Sequence, residues 1–412
     1  MKKLNELSKI VFVVVPMALQ PVLAFVLLVL VAHLAPQEAY GALALSMVMM
    51  TFLVGFADLG LRDFLLSRPA IEAGLSKGEN LFYPSVTGFI TLASIILYYL
   101  HVHAPGMAPH LFVALLPEAL ALAVLQRALF FHYQTQDRLV GFSTVDALFK
   151  SAPFLIKILL FWRTGDLVGS VLVGSVLTLL LYAGWFFGKC VRPGTFFSEN
   201  ASYKGAMTAM AARWGAWLPF TLSFLSFFLY FGFDRILVEA ILGAEPLAIY
   251  AAACSFITIG QIVVQGFWSL YMPKISRGNI DATQGKFVMF GFGLSLAMVI
   301  GYQVFAGFFF HLLYPESYAQ AADLLSIMSL YFIFRLVNVV FEMYWVAKNR
   351  YGLFVKVRIA CGLLSIALNY LFLGHYGLLA PAIVLVTCEM LITLFLLAHE
   401  FKGSRTTLIA SP

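Results

Sequence analysis

Asp146, Lys150 and Lys157 stand at i, i+4 and i+11 in a stretch that is otherwise almost wholly apolar, 141–162. At 100° per residue the two lysines fall within about 20° of one another on a helix, so both project from one face. Pro153 lies between them on that stripe and would kink the helix or free a carbonyl there, a feature of helices that line cavities. Arg127 closes the preceding apolar run, and Arg335 sits near the middle of a later one, with Asn338 and Glu342 one and two turns below it. An ionisable group facing hydrocarbon at mid-bilayer costs about 2.5–3.5 kcal/mol on insertion scales, so such residues face a wet cavity or each other. Together Lys150, Lys157, Arg127 and Arg335 describe a basic, water-filled cleft suited to an anionic ligand. The competing outcome is internal pairing. Arg127 and Asp146 flank one short turn at similar depth, and Lys157 can snorkel toward the outer interface along its apolar stem.

The acids form a second set. Asp58 and Arg62 are an i, i+4 pair with Asp63 beside them, and Asp234 adjoins Arg235, with Glu239 one turn on. A carboxylate in a low-dielectric helix can exchange a proton near neutral pH or hold Na⁺, and the same carboxylate beside an arginine can instead lock two helices together. His101 and His103 lie between apolar runs and His110 at the outer start of the next one, without a convergent further ligand, so no metal site is expected. No nucleophile–base set, P-loop or GxGxxG at a strand–helix junction is present, and the glycine-rich stretches read as small residues for helix packing. The chain reads as a non-enzyme without a cofactor. Its four cysteines, Cys190, Cys254, Cys361 and Cys388, show no CxxC spacing, and neither a disulfide nor zinc is expected.

The elements that carry these residues follow from composition. Of 412 residues, 62% are hydrophobic and 11% charged, and the mean hydropathy is +0.92. Water cannot be the main solvent of such a chain. In hydrocarbon only helices or closed barrels satisfy the backbone, and apolar runs of about 20 residues are the helical solution. The pI near 9.0 would point to nucleic acid in a soluble protein, but here Lys and Arg sit between the apolar runs. They report orientation in the membrane, and no nucleic-acid partner is expected.

Twelve spans are expected, at 10–34, 41–66, 81–100, 109–133, 141–162, 167–188, 213–242, 246–272, 286–313, 319–346, 353–373 and 378–399. The first follows Lys2, Lys3 and Lys9, but its run is too long for a cleaved signal segment and is kept as a span. Arg68, Lys77, Arg138, Lys189, Arg192, Lys204, Lys274, Arg277, Lys348, Arg350, Lys402 and Arg405 all fall on the side of the N-terminus, which makes both termini cytoplasmic. Tyr40 to Ser46 (YGALALS) and Tyr250 to Ser255 (YAAACS) each open an even-numbered span, and Gly55-Phe56 is echoed by Gly266-Phe267. This repeat at about 210 residues predicts an all-α fold of two pseudo-symmetric six-helix bundles, 1–195 and 196–412, with any binding site between them.

Four stretches carry a family resemblance: Gly55 to Arg62 (GFADLGLR), Phe233 to Gly243 (FDRILVEAILG) running into Tyr250, Pro273 to Ser276 (PKIS), and Leu313 to Ala322 (LYPESYAQAA). In this order, with twelve spans, the chain resembles the Wzx-type polysaccharide (O-antigen) flippases of the multidrug/oligosaccharidyl-lipid/polysaccharide exporter (MOP) superfamily. The resemblance implies two six-helix lobes in a MATE-like V and a place in the inner membrane of a bacterium, in lipopolysaccharide biosynthesis. It further implies export of an undecaprenyl-diphosphate-linked oligosaccharide by alternating access, with H⁺ or Na⁺ as coupling ion. A polysaccharide polymerase and a chain-length regulator would be its protein partners, and membrane lipids its surroundings. It assigns Asp58 and Asp234 to the family's acids in spans two and seven, and the basic residues to diphosphate or acidic-sugar contacts. Span eight departs from the pattern, having Gln261 and Gln265 but no acid. A drug/cation antiporter of the same superfamily would share the fold but want an acidic cavity. A major-facilitator transporter would carry an Arg-rich continuation after 55–62, and a membrane-embedded polysaccharide polymerase would want a long outer loop, which this chain lacks.

Overall fold

The computed structural model describes residues 6–57, 61, 78–104, 106–135, 139–190, 196–197, 202–276, 285–347 and 351–409, and every element among them is helical. The chain separates into two compact units, Met1–Leu225 and Ser226–Pro412.

The first unit begins with α1 (Glu6–Leu34), α2 (Gln37–Phe56) and α3 (Glu79–His103). Next come α4 (Met107–Leu120), which runs through a π-helical turn (Ala121–Gln126) into α5 (Arg127–Thr135), then α6 (Leu139–Thr164) and α7 (Leu167–Lys189). A short α8 (Tyr203–Ala211) precedes α9 (Trp214–Phe231), where the first unit ends and the second begins. Here α2 packs on α4, α4 on α7, α1 on α6 and α6 on α7. The apolar windows of α2 and of the α4–α5 span are each 61% buried, whereas that of α3 is 28% buried, so α2 and α4 form the centre. Gly88 lets α3 approach α2 at backbone distance, since a Cβ there would lie 2.3 Å from the Ala57 carbonyl oxygen. Loop chemistry ends the helices cleanly. Gly165, at φ +69°, turns the chain out of α6, and Asp166 caps α7 by accepting the Gly169 N–H at 3.0 Å.

The second unit continues with α10 (Phe233–Leu242), α11 (Ala244–Ser276) and α12 (Gly285–Leu313). A 3₁₀ turn (Glu316–Tyr318) leads into α13 (Gln320–Ser329) and α14 (Tyr331–Ala347), followed by α15 (Tyr351–Tyr376) and α16 (Leu379–Ile409). Here α11 packs on α13 and α14, α13 and α14 on α16, α10 on α15, and α15 on α16. Span for span this is the contact scheme of the first unit: two with four, four with six, one with five, five with six. Burial repeats as well. The windows of α11 and of the α13–α14 span are 72% and 67% buried, and that of α12 is 17% buried. The repeat inferred from Tyr40 and Tyr250 is therefore a repeat of packing, and both tyrosines are fully enclosed by protein.

Among the described residues nine helices are long and apolar enough to cross a membrane, which makes this a multi-pass membrane protein. The other three expected spans are helical too: 10–34 lies in α1, 141–162 in α6, which carries Asp146, Lys150 and Lys157, and 213–242 in α9 and α10, which meet at Gly232.

Candidate functional site

Helix α6 positions two lysines with different surroundings. Lys157 is 1% exposed and donates to the Glu118 carboxylate on α4. Its ammonium also lies 4.6 Å from the Phe154 ring centroid, and the Ser175 hydroxyl of α7 donates to Glu118 at 3.4 Å. Gly174 makes room for the lysine stem, because a Cβ there would lie 2.3 Å from Lys157 Cγ. The neutralised pair thus fastens α4, α6 and α7, and Lys157 does not snorkel outward. Pro153, one turn away, is accommodated inside a continuous helix.

Lys150 is more open. Its ammonium is 2.8 Å from Asp146 Oδ2, with 22% of the lysine side chain exposed, and Tyr182 on α7 donates its hydroxyl to Asp146 Oδ1 at 2.6 Å. Lys150 and Tyr182 thus both engage the Asp146 carboxylate. Arg127 opens α5 directly below the π-helical turn and is partly buried.

In the second unit Arg335 lies on α14 among groups from four helices. Its Nη1 is 3.6 Å from Glu342 Oε2 and 4.0 Å from Glu389 Oε1 on α16. Arg358, on α15, places Nη1 3.1 Å from Glu342 Oε1 and donates through Nη2 to the Tyr230 hydroxyl of α9 at 2.8 Å. Tyr230 donates in turn to Glu389 Oε1 at 2.9 Å, and Asn338 donates to Glu389 Oε2 at 2.5 Å. Thr393 completes the set by donating to Asn338 Oδ1 at 2.8 Å. Phe341, Trp345, Phe354 and Ile392 form an apolar cluster beside these charges, drawn from three of the four helices, α14, α15 and α16. In such a setting the ion pairs are little screened.

The two units place these cations at matching points. At an offset of about 208 residues, Arg127 corresponds to Arg335 and Lys150 to Arg358. The helices that carry the arginines are interrupted at matching points too. The π-helical turn Ala121–Gln126 precedes Arg127, and the break at Leu330 between α13 and α14 precedes Arg335 by little more than one turn. Interrupted membrane helices at corresponding positions of two repeats mark binding sites, because the irregular backbone needs polar company.

The acids divide. Asp58, with Arg62 and Asp63, lies outside the described residues. Asp234 is buried at the start of α10, where Oδ1 accepts the Arg235 N–H at 2.8 Å and Oδ2 accepts the Tyr250 hydroxyl of α11 at 2.5 Å. That bond ties α10 to α11 and accounts for the stretch from Phe233 into Tyr250. Gln261, in the span that lacks the acid, donates to the Tyr331 hydroxyl at 2.5 Å.

Glu118, Arg358 and Glu389 were not among the candidates suggested by spacing. Each is a charge within a long apolar run, and that isolation is the signal that finds them.

Comparison with known proteins gives the family. A profile described as polysaccharide biosynthesis protein matches residues 7–279. Among curated proteins no matching relative is found. The fold is similar to a lipid II flippase MurJ in an inward closed conformation, at 11% identity and TM-score 0.73, over 93% of this chain and 86% of that one. It is similar as well to an inward-facing multidrug resistance MATE family transporter of the MOP superfamily, at 15% identity and TM-score 0.72, over 98% and 99% of the two chains. A third similar structure is a MOP superfamily transporter from Pyrococcus furiosus described as having a binding pocket of reverse polarity, at 16% identity and TM-score 0.59, over 98% and 96%. With a profile that spans well over half of its length, the chain belongs to the polysaccharide biosynthesis protein family, and its fold, two bundles of matching helix order with matching helix breaks, is that of the MurJ flippase and MATE transporter structures.

Proposed function

We propose that the protein is a flippase that moves undecaprenyl-diphosphate-linked glycan repeat units across the cytoplasmic membrane of a bacterium by alternating access. The observation that carries this reading is the repeated placement of a cation just below a helix break in each unit, Arg127 and Arg335. Arg binds a diphosphate through paired charge-assisted hydrogen bonds, and Lys150 adds a point charge. Family membership supports a polysaccharide precursor as cargo, and the MurJ likeness supports a lipid-linked one. Lys157 supports the architecture through Glu118 rather than the cargo. Asp58 and Asp234 are the proposed sites of H⁺ or Na⁺ coupling. A drug/cation antiporter has the same fold in its favour, but cations below both breaks suit an anion better than a cationic drug.

The reading is tested with the purified full chain in proteoliposomes that contain a fluorescent undecaprenyl-diphosphate oligosaccharide. A membrane-impermeant quencher or lectin reads the outer leaflet. Chain-dependent equilibration of label between leaflets is the expected result. Equilibration no faster than in empty liposomes, with efflux of a cationic drug instead, would replace the reading with drug antiport.

A further inference from the structure

We infer that the space between Arg335 and Arg358 is a phosphate seat, and that Glu342 occupies it as an internal place-holder when no ligand is bound. The inference rests on the diphosphate reading above and adds to it the residue that yields to the ligand.

Glu342 bridges the two guanidiniums as a phosphate would, with Oε1 3.1 Å from Arg358 Nη1 and Oε2 3.6 Å from Arg335 Nη1. The second acid of the network is held differently. Glu389 is 0% exposed, and its two oxygens accept from Tyr230 and Asn338, so it is fixed by neutral donors on two other helices. Among the described residues Glu342 has only the two guanidiniums as polar partners, and 10% of its side chain is exposed. It is the acid free to swing away. Arg335 also keeps a buried Nε that finds no acceptor among the described residues, a donor that the two carboxylate oxygens leave unused. A tetrahedral phosphate has a third oxygen to offer it.

Charge points the same way. With Glu342 seated, Arg335 and Arg358 face two carboxylates, Glu342 and Glu389. With Glu342 displaced, the two guanidiniums keep Glu389 and lose the charge that bridged them, in a setting where removing the partner of a buried charge is costly. An incoming anion replaces that charge, whereas a neutral or cationic ligand cannot.

The experiment uses the purified full chain in nanodiscs. It measures the dissociation constant of inorganic pyrophosphate for wild type, Glu342→Gln, Glu342→Asp and Arg358→Lys. Removing the competing carboxylate should tighten binding by about tenfold in Glu342→Gln. Glu342→Asp, too short to reach both guanidiniums, should tighten it by less, and Arg358→Lys should loosen it. Should Glu342→Gln fail to fold, Glu342→Asp carries the test. Binding equal to or weaker than wild type in a folded Glu342 variant overturns the seat, because a purely structural acid gives that result. A parallel titration with undecaprenyl diphosphate in the nanodisc separates two sources of the ligand. Greater tightening there than with pyrophosphate identifies a lipid headgroup, equal tightening identifies phosphate alone, and both support the seat. If Arg335→Ala abolishes flipping while neither Glu342 variant tightens binding, the seat is wrong and the flippase reading stands. Tightening in a chain that flips nothing supports the seat and removes the flippase reading.

Discussion

Lys157 and Glu118 hold each other across α6 and α4 with 1% and 3% of their side chains exposed, 39 residues apart in the chain. Removing one partner strands the other charge, at a cost of roughly 3–5 kcal/mol, whereas replacing both with apolar residues of similar volume is close to neutral. Lys157→Met and Glu118→Met alone should therefore lower the thermal stability of the purified protein sharply, and the double variant should recover most of it. Full stability together with lost transport in the double variant would instead make Lys157 a cargo contact.

Topology is tested by labelling single introduced cysteines. The four native cysteines are buried free thiols, and Cys190, beyond the end of α7, has its thiol pushed up to about 12 by burial, so the wild-type background should be low. An impermeant maleimide added from outside should reach cysteines placed at the exposed positions 101–103, 316 and 317 and miss one at the exposed position 202. The reverse pattern would invert the assignment of both termini to the cytoplasm.

How much of this was legible in sequence depends on distance along the chain. Spans were readable because an apolar run of about 20 residues has one solution in hydrocarbon, and the repeat was readable because Tyr40 and Tyr250 open equivalent helices. The Asp146–Lys150 pair was readable in its spacing, since i, i+4 residues share a helix face. Partners on different helices were not. Tyr230 and Glu389 are 159 residues apart, and Arg358 meets Glu342 only because α15 packs beside α14. The breaks at 121–126 and 330 were hidden as well, because the apolar composition continues through them.

Asp234 can be a lock or a coupling site, and its partner separates the two. Tyr250→Phe removes the hydrogen bond to Oδ2 and leaves the carboxylate, while Asp234→Asn removes the charge and leaves an acceptor. On the coupling account, Asp234→Asn at normal expression should lose transport by tenfold or more and its dependence on pH or Na⁺, and Tyr250→Phe should keep both. Equal, small losses from the two variants would make Asp234 a tie between α10 and α11. The same comparison applies to Asp58→Asn.

The central claim is that cations in both units carry an anionic, lipid-linked glycan. Arg335 and Lys150 are each held by an acid, so on this account exchange of that acid for the cargo anion is what the variants interrupt. Surface glycan display in a flippase-deficient bacterial host, at matched protein levels, measures this most directly. Wild type should restore display, and Lys150→Arg should be better tolerated than Lys150→Ala. Lys150→Glu and Arg335→Glu should each abolish display, because reversal adds repulsion to the lost contact. Full display by both Lys150→Ala and Arg335→Ala would contradict the account, since neither cation would then touch the cargo.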